Sequence, residues 1–288
     1  MSSPSLRLAL PKGRMQEGVI ALLRDAGVPV RLSDRGYRPL VGWANAECKL
    51  LKPQNVVEML HQGTRDLGFA GADWVAELGA DLVDVLDTGL DPVRIVAAAP
   101  VGLLGPGDAL PAAHVRVASE YERLTRAWIA RRGLDASFVR SYGATEVFPP
   151  EDADVIVDNT ATGSTLAANG LRIVDELLRS STRLYASRAA MDDAARRAPI
   201  EDLVLLLRAV LDARQRVMLE VNVTAERLEA VCGVLPCMRE PTISPLHGQA
   251  GFAVKAAVPR AQLAALVPAI KARGGTDIVV SALAQIVP

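Results

Sequence analysis

Asp154-Val155-Ile156-Val157-Asp158-Asn159-Thr160-Ala161-Thr162-Gly163-Ser164-Thr165 runs from an apolar strand through a loop of small hydroxylated residues into the start of a helix. An acid at the end of a buried strand, followed by hydroxyls and a glycine, supplies what a ribose 5-phosphate needs. Asp158 can accept hydrogen bonds from ribose hydroxyls or from metal-bound water. Thr160, Thr162, Ser164 and Thr165 can donate through their hydroxyls. Gly163 lets backbone N–H groups approach a phosphate at a helix N-terminus. An ordinary hydroxyl-rich N-cap without a ligand has the same composition, so the loop alone leaves both readings open.

Outward from this loop the same strand–turn–helix pattern recurs. Leu6 to Leu10 reads as a buried strand, Pro11-Lys12-Gly13-Arg14 as a turn, and Met15, Val19, Leu22, Leu23 and Ala26 fall at helical spacing before Gly27. Asp66 to Ala70 is a second short strand, leading through Gly71-Ala72-Asp73 into a helix from Trp74 to Leu78. Glycine and proline cluster between Pro100 and Pro111, which suggests a crossover into another lobe. A strand at Val115 to Ala118, a helix at Glu122 to Arg132 and a strand at Ser137 to Ser141 follow. Strands alternating with helices predict a mainly parallel sheet, whose ligands lie at the strand carboxyl ends. A helix is expected over Ala189 to Arg214. The remainder reads βαββαβ, with strands at Val217–Val223, Thr242–Leu246, Gly251–Val258 and Ile278–Leu283 and helices at Ala225–Leu235 and Arg260–Arg273, the order of a ferredoxin-like unit.

The 288 residues, half of them hydrophobic, suffice for two or three cores. With 32 basic against 33 acidic residues and no run of like charge, nothing points to nucleic acid or an anionic membrane. No apolar run approaches the roughly 20 residues of a membrane span and no signal-peptide pattern opens the chain, so a cytoplasmic protein is expected. Cys48, Cys232 and Cys237 form neither a CxxC pair nor a disulfide framework, and no thiol site or structural zinc is expected. Lys12 and Arg14 suit a pyrophosphate or triphosphate, the alternative being a solvated basic turn. Asp73 could cap its helix, bind a ligand, or do both.

Leu8 to Arg14, Asp66 to Asp73, Ala153 to Leu166 with Asn169-Gly170-Leu171, and Pro241 to Leu246 followed by Phe252 to Val258 resemble, in order and spacing, the long form of the ATP phosphoribosyltransferase family. The resemblance spans essentially the whole chain. It implies an α/β protein with a two-lobed, periplasmic-binding-protein-like catalytic core and a C-terminal ferredoxin-like (ACT-like) regulatory domain. The lobes would comprise residues 1–100 with 183–214 and residues 101–182, and the regulatory domain residues 215–288. It implies further that the adenine N1 of ATP attacks phosphoribosyl pyrophosphate to give phosphoribosyl-ATP and pyrophosphate, the first step of histidine biosynthesis, with Mg²⁺ as cofactor, histidine as feedback inhibitor and a hexameric assembly.

Carried over by position, Asp158 and Glu146 would be catalytic. Asn159, Thr160, Ala161, Thr162, Gly163, Ser164 and Thr165 would hold phosphoribosyl pyrophosphate. Lys12, Gly13, Arg14, Lys52, Asp73 and Arg126 would line the cleft, and Asn222, Thr242 and Ala256 would bind histidine. The chain departs from the family pattern at Lys52, where arginine is usual, at Leu90-Asp91-Pro92-Val93-Arg94, at Ala70, and at Asn222, which replaces an acid. The competing readings are a phosphoribosyltransferase for another base and a non-catalytic anion-binding protein.

Overall fold

The computed structural model describes residues 6–32, 36–43 and 45–287. Two compact units emerge. One comprises residues up to Arg24 with Val28–Glu201; the other comprises Asp25–Gly27 with the chain from Asp202 onward.

The first unit contains β1 (Leu6–Pro11), α1 (Arg14–Asp25), the short hairpin of β2 (Val30–Arg31) and β3 (Leu40–Val41), β4 (Ala46–Leu51), α2 (Pro53–His61), β5 (Leu67–Gly71), α3 (Ala72–Leu78) and the long β6 (Leu82–Pro100). It continues through β7 (Val115–Ser119), α4 (Glu122–Arg132), β8 (Ala136–Arg140), β9 (Val155–Thr160), α5 (Ser164–Ala168), the long β10 (Leu171–Ser187) and α6 (Arg188–Asp192). Covered on both faces, the central strands are near-continuous apolar runs; Leu6, Leu8, Ala9 and Leu10 of β1 and Val155, Ile156 and Val157 of β9 are buried. Local chemistry sets the helix ends: Pro53 opens α2, and Gly79 and Gly133, both left-handed, close α3 and α4.

Eight strands form one sheet in the order β4-β1-β5-β10-β6-β9-β7-β8. The order is palindromic. In the first half β1 lies between β4 and β5, and in the second β7 lies between β8 and β9, all parallel. The fourth strand of each half then crosses over, β6 pairing antiparallel with β9 and β10 with β5, while β6 and β10 pair with each other between. This exchange makes the two lobes of the core. Each half is also stapled alike at the start of its strands. Arg7 of β1 binds Asp66, which precedes β5, through its backbone N–H (2.8 Å) and guanidinium, and Arg116 of β7 does the same to Asp154, which precedes β9 (2.7 Å).

The helix expected over Ala189 to Arg214 is interrupted. Ser187 caps α6, the backbone turns extended at Asp193, and Asp193 accepts the Ala195 N–H at the start of α7 (Ala194–Arg214). Beyond α7 the second unit follows the expected βαββαβ order: β11 (Arg216–Val223), α8 (Leu228–Cys232), β12 (Thr242–Pro245), β13 (Phe252–Pro259), α9 (Leu263–Ala272) and β14 (Thr276–Ala282). Its antiparallel sheet is ordered β12-β13-β11-β14. Val217, Leu219, Val221, Val254, Ala256 and Val258 face a core shared with Val231, Leu266 and Ile270 of the helices. Among the described residues no helix is long and apolar enough to cross a membrane.

Candidate active site

The carboxyl ends of the parallel strands converge on a cavity of about 310 Å³ in the first unit. Arg14, from the turn after β1, lines it together with Glu146 and with Asp158, Asn159, Thr160, Ala161, Thr162, Ser164, Thr165 and Leu166. The sheet thus brings a cation from one half against the acid-and-hydroxyl loop of the other. Glu146 sits in a single 3₁₀ turn over Thr145–Val147, anchored by a buried hydrogen bond between Ser141 Oγ and Thr145 Oγ1 (2.8 Å).

The loop is shaped by its own hydroxyls. Thr160 Oγ1 accepts the Gly163 N–H (2.9 Å), Thr162 Oγ1 lies 3.0 Å from Ser164 Oγ, and Gly163 has φ +85°, a conformation that β-carbon-bearing residues rarely adopt. α5 is only five residues long, so its macrodipole is small, and the donors that the cavity offers are the loop hydroxyls, local N–H groups and the Arg14 guanidinium. Burial pushes the Asp158 carboxyl up, and the charges of Glu146 and Glu120 add to this against the hydrogen bond from the Asn159 N–H, leaving its pKa at about 6.

Asp73 lies on the floor of a smaller adjoining cavity of about 80 Å³ that Arg14, Asp91, Tyr121, Asn159 and Ser180 also line. It makes no side-chain cap for α3. Instead it is buried, accepting from Ser180 Oγ (2.6 Å) and from the Tyr121 hydroxyl (2.8 Å), while Tyr121 accepts from Asn159 Nδ2 (3.3 Å). Burial, and then the Asp73 charge, push the Tyr121 hydroxyl well above the usual phenol range, so it remains a donor. Lys12 and Lys52 stand at the ends of paired strands β1 and β4, outside the larger cavity; the Lys12 N–H donates to Leu51 O and its Nζ lies 4.2 Å from the centre of the Tyr37 ring. Gly13, at φ +86°, turns the chain into α1. Arg126 is exposed on α4, bound to Glu122 (2.8 Å) and stacked on Phe138, and it lines neither cavity.

In the second unit Asn222 and Thr242 share the sheet face that the helices leave open, where Asn222 Nδ2 donates to Asp277 Oδ2 (3.1 Å). The Ala256 side chain lies on the helix-covered face, although the residue joins Thr242 in lining a groove of about 490 Å³ with Met218, Arg239, Glu240 and Lys255. Sequence reasoning missed Tyr121, Ser180 and Glu77. Their side-chain partners lie 38 to 107 positions away, and no local pattern marks such contacts.

A two-lobed α/β core with a hydroxyl-rich loop across from a cation has the donor chemistry of a class of proteins whose ligands are phosphorylated. The sequence profile of the ATP phosphoribosyltransferase family matches residues 52–209, and that of the HisG C-terminal domain matches residues 213–285. The chain is 35% identical to the ATP phosphoribosyltransferase of Pelotomaculum thermopropionicum and 37% identical to that of Desulforudis audaxviator, in each case over 98% of this chain and 99% of the relative. One chain of the ATP phosphoribosyl transferase (HisG:HisZ) complex from Thermotoga maritima superposes with a TM-score of 0.64 at 26% identity, covering 72% of this chain and 98% of that one. The chain belongs to the ATP phosphoribosyltransferase family, the enzymes of the first step of histidine biosynthesis.

Proposed function

We propose that this ATP phosphoribosyltransferase carries out its reaction in the larger cavity, with the ribose 5-phosphate on Thr160, Thr162, Ser164 and Thr165 and the ribose ring beside Asp158. The observation that carries this reading is the convergence of Arg14 from one half on the contiguous loop of the other. The adenine N1 attacks the anomeric carbon as pyrophosphate leaves. The nucleophile is a neutral ring nitrogen, so no strong base is needed and positioning with charge stabilisation does the work. Asp158 and Glu146 stabilise the positive charge that grows on the ribosyl ring; Lys12, Arg14 and Lys52 face the phosphates. Residues 1–100 with 183–214 and residues 101–182 serve as the catalytic lobes.

The donor set suits Mg²⁺ brought in on pyrophosphate. Among the described residues no group of three or more His, Cys, Asp or Glu side chains could hold a metal alone, yet Asp158 and Glu146 crowd like charge at the cavity. Asp158 and Glu146 would hold the ion, and its charge would neutralise the leaving pyrophosphate. Incubation with ATP, phosphoribosyl pyrophosphate and Mg²⁺, with pyrophosphatase present, should yield an adduct visible by ultraviolet absorbance. Absence of the adduct, with hypoxanthine or another base consumed instead, would overturn this reading.

Residues 215–288 act as the regulatory domain, with histidine on the open sheet face near Asn222 and Thr242 and assembly into a hexamer working in the cytoplasm. Asn222 lacks the charge to pair with the ligand's ammonium, but the adjacent Asp277 carboxylate supplies one. Millimolar histidine should slow turnover and raise the melting temperature, and Thr242→Trp should abolish both responses. Unchanged rate and melting temperature in the wild-type protein would sink the regulatory assignment.

A further inference from the structure

The N-terminus of α4 should be capped by its own sequence, yet Tyr121 at the N-cap position makes no side-chain cap. The cap comes from the other half of the core. Glu77 of α3, buried, accepts the Arg123 N–H on one carboxylate oxygen (2.9 Å) and the Leu124 N–H on the other (3.0 Å). In return Arg123 Nη1 donates to Ala76 O near the end of α3 (2.6 Å), and it packs so closely on Gly79 that a β-carbon there would meet it at 2.7 Å. The two helices cap each other across the halves.

Asp73 lies one helical turn before Glu77 on the same face of α3 and takes up Tyr121, the residue that leads into α4. Trp74 stacks on the Tyr121 ring with centroids 4.8 Å apart. Tyr121 in turn accepts from Asn159 at the mouth of the hydroxyl-rich loop. A continuous path therefore runs from α3 through Tyr121 to that loop.

We infer that Glu77 is a positioning residue for the reaction: by capping α4 from the opposite half, it fixes Tyr121, and through it Asn159, at the distance from Arg14 that the bound substrates require. The inference rests on the proposed use of the cavity by phosphoribosyl pyrophosphate. Glu77 itself lines neither cavity and touches no reacting atom.

Steady-state kinetics on the full chain, measured well below each variant's melting temperature, test it. Glu77→Ala should raise the KM for phosphoribosyl pyrophosphate and lower kcat/KM at least tenfold. Glu77→Gln, which keeps one carbonyl acceptor, should recover to within about threefold of wild type. A residue serving stability alone would lower the melting temperature of both variants and leave kcat and KM untouched; that result overturns the inference. If Glu77→Ala does not fold, Tyr121→Phe takes its place, since it keeps the stacking on Trp74 and removes the hydroxyl. A threefold or larger rise in the same KM supports the path, and an unchanged KM overturns it. Asp158→Asn separates the two levels. Loss of turnover in that variant beside wild-type kinetics in Glu77→Ala would remove Glu77 while leaving the cavity assigned. Wild-type kinetics in Asp158→Asn would remove the cavity itself.

Discussion

The two halves of the core share a frame and differ in what they carry on it. β4-β1-β5 and β8-β7-β9 have the same parallel order, and the staples Arg7–Asp66 and Arg116–Asp154 occupy equivalent places, one end of the sheet away from the cavity. The turns at the opposite, carboxyl end have diverged. After β1 comes Lys12-Gly13-Arg14, whereas after β7 come Glu120 and the buried Tyr121. After β5 the chain enters α3 at once with Asp73 tied down on both oxygens, whereas β9 opens into the hydroxyl-rich loop with Asp158 accepting from Asn159 on one oxygen and lining the cavity. The frame is set by apolar strands and their pairing, which tolerate duplication; the chemistry is set by short turns, which can differ without disturbing the sheet.

The staples provide the largest expected difference. Asp66 is wholly buried and accepts hydrogen bonds from Arg7 and Arg196, whose side chains are each 30% exposed, so Asp66→Asn should cost about 1.5–3 kcal/mol as these charge-assisted bonds are weakened. The Asp154 pair is partly exposed, and Asp154→Asn should cost about 1 kcal/mol, screened by solvent. Urea unfolding of the two variants makes the comparison, and equal losses would show that the halves do not differ in this way. Burial acts to raise the Asp66 pKa, but the hydrogen bonds and charge of Arg7 outweigh it and hold the group below the usual carboxylate range. Asp66 therefore contributes stability above its unfolded pKa, and that stability is lost as pH falls through the lower folded value. Asp66→Asn should flatten this acid dependence.

The next effect lies at the diverged turns. Asp158→Asn should lower turnover at least tenfold, equivalent to about 1.4 kcal/mol of transition-state stabilisation, with the fold intact. Its pH signature has the opposite sign to that of Asp66. With a folded pKa of about 6, above the unfolded value, Asp158 favours the folded state most when protonated, and this contribution is lost as pH rises towards 6. The melting temperature of Asp158→Asn relative to wild type should climb across that window and level off above it. A flat difference would mean that the carboxyl is not buried among like charges.

What could be read from the sequence was what local patterns encode. The apolar runs of β1, β5 and β9, the glycines after them and the βαββαβ order are adjacent-residue signals. β6 and β10 were not legible. Asp84, Asp87 and Pro92 interrupt the first, and Leu171, Val174, Leu177 and Leu178 fall at helical spacing in the second, where repeated register shifts spoil the alternation of a strand. The loop from Asp158 to Thr165 was visible because it is contiguous, whereas Glu77 reads as one more acid on a short helix until α4 is placed against it. Ala256 shows a related limit. Which face of β13 it occupies follows from register, and a shift by one residue would turn it from the helix-covered face to the open one.

The smallest expected effect concerns the basic turn that only the first half carries. Lys12 rests its ammonium over Tyr37 at 4.2 Å, an attraction worth about 0.5–1 kcal/mol at an exposed site, so a phosphate must draw it away or share it with the ring. Its net contribution to binding should therefore be modest. Lys12→Ala should raise the KM for a phosphorylated substrate a few-fold, leave kcat nearly unchanged, and reduce the dependence of KM on salt, since one screened contact is lost. A solvated turn with no ligand predicts no change in either KM or its salt dependence. Tyr37→Ala sharpens the distinction. Releasing the ammonium from the ring should lower the KM if Lys12 reaches the phosphates and leave it unchanged if the ring is its only partner. A fall in KM on removing Tyr37, reversed by adding Lys12→Ala, would assign the cation of this turn to the ligand.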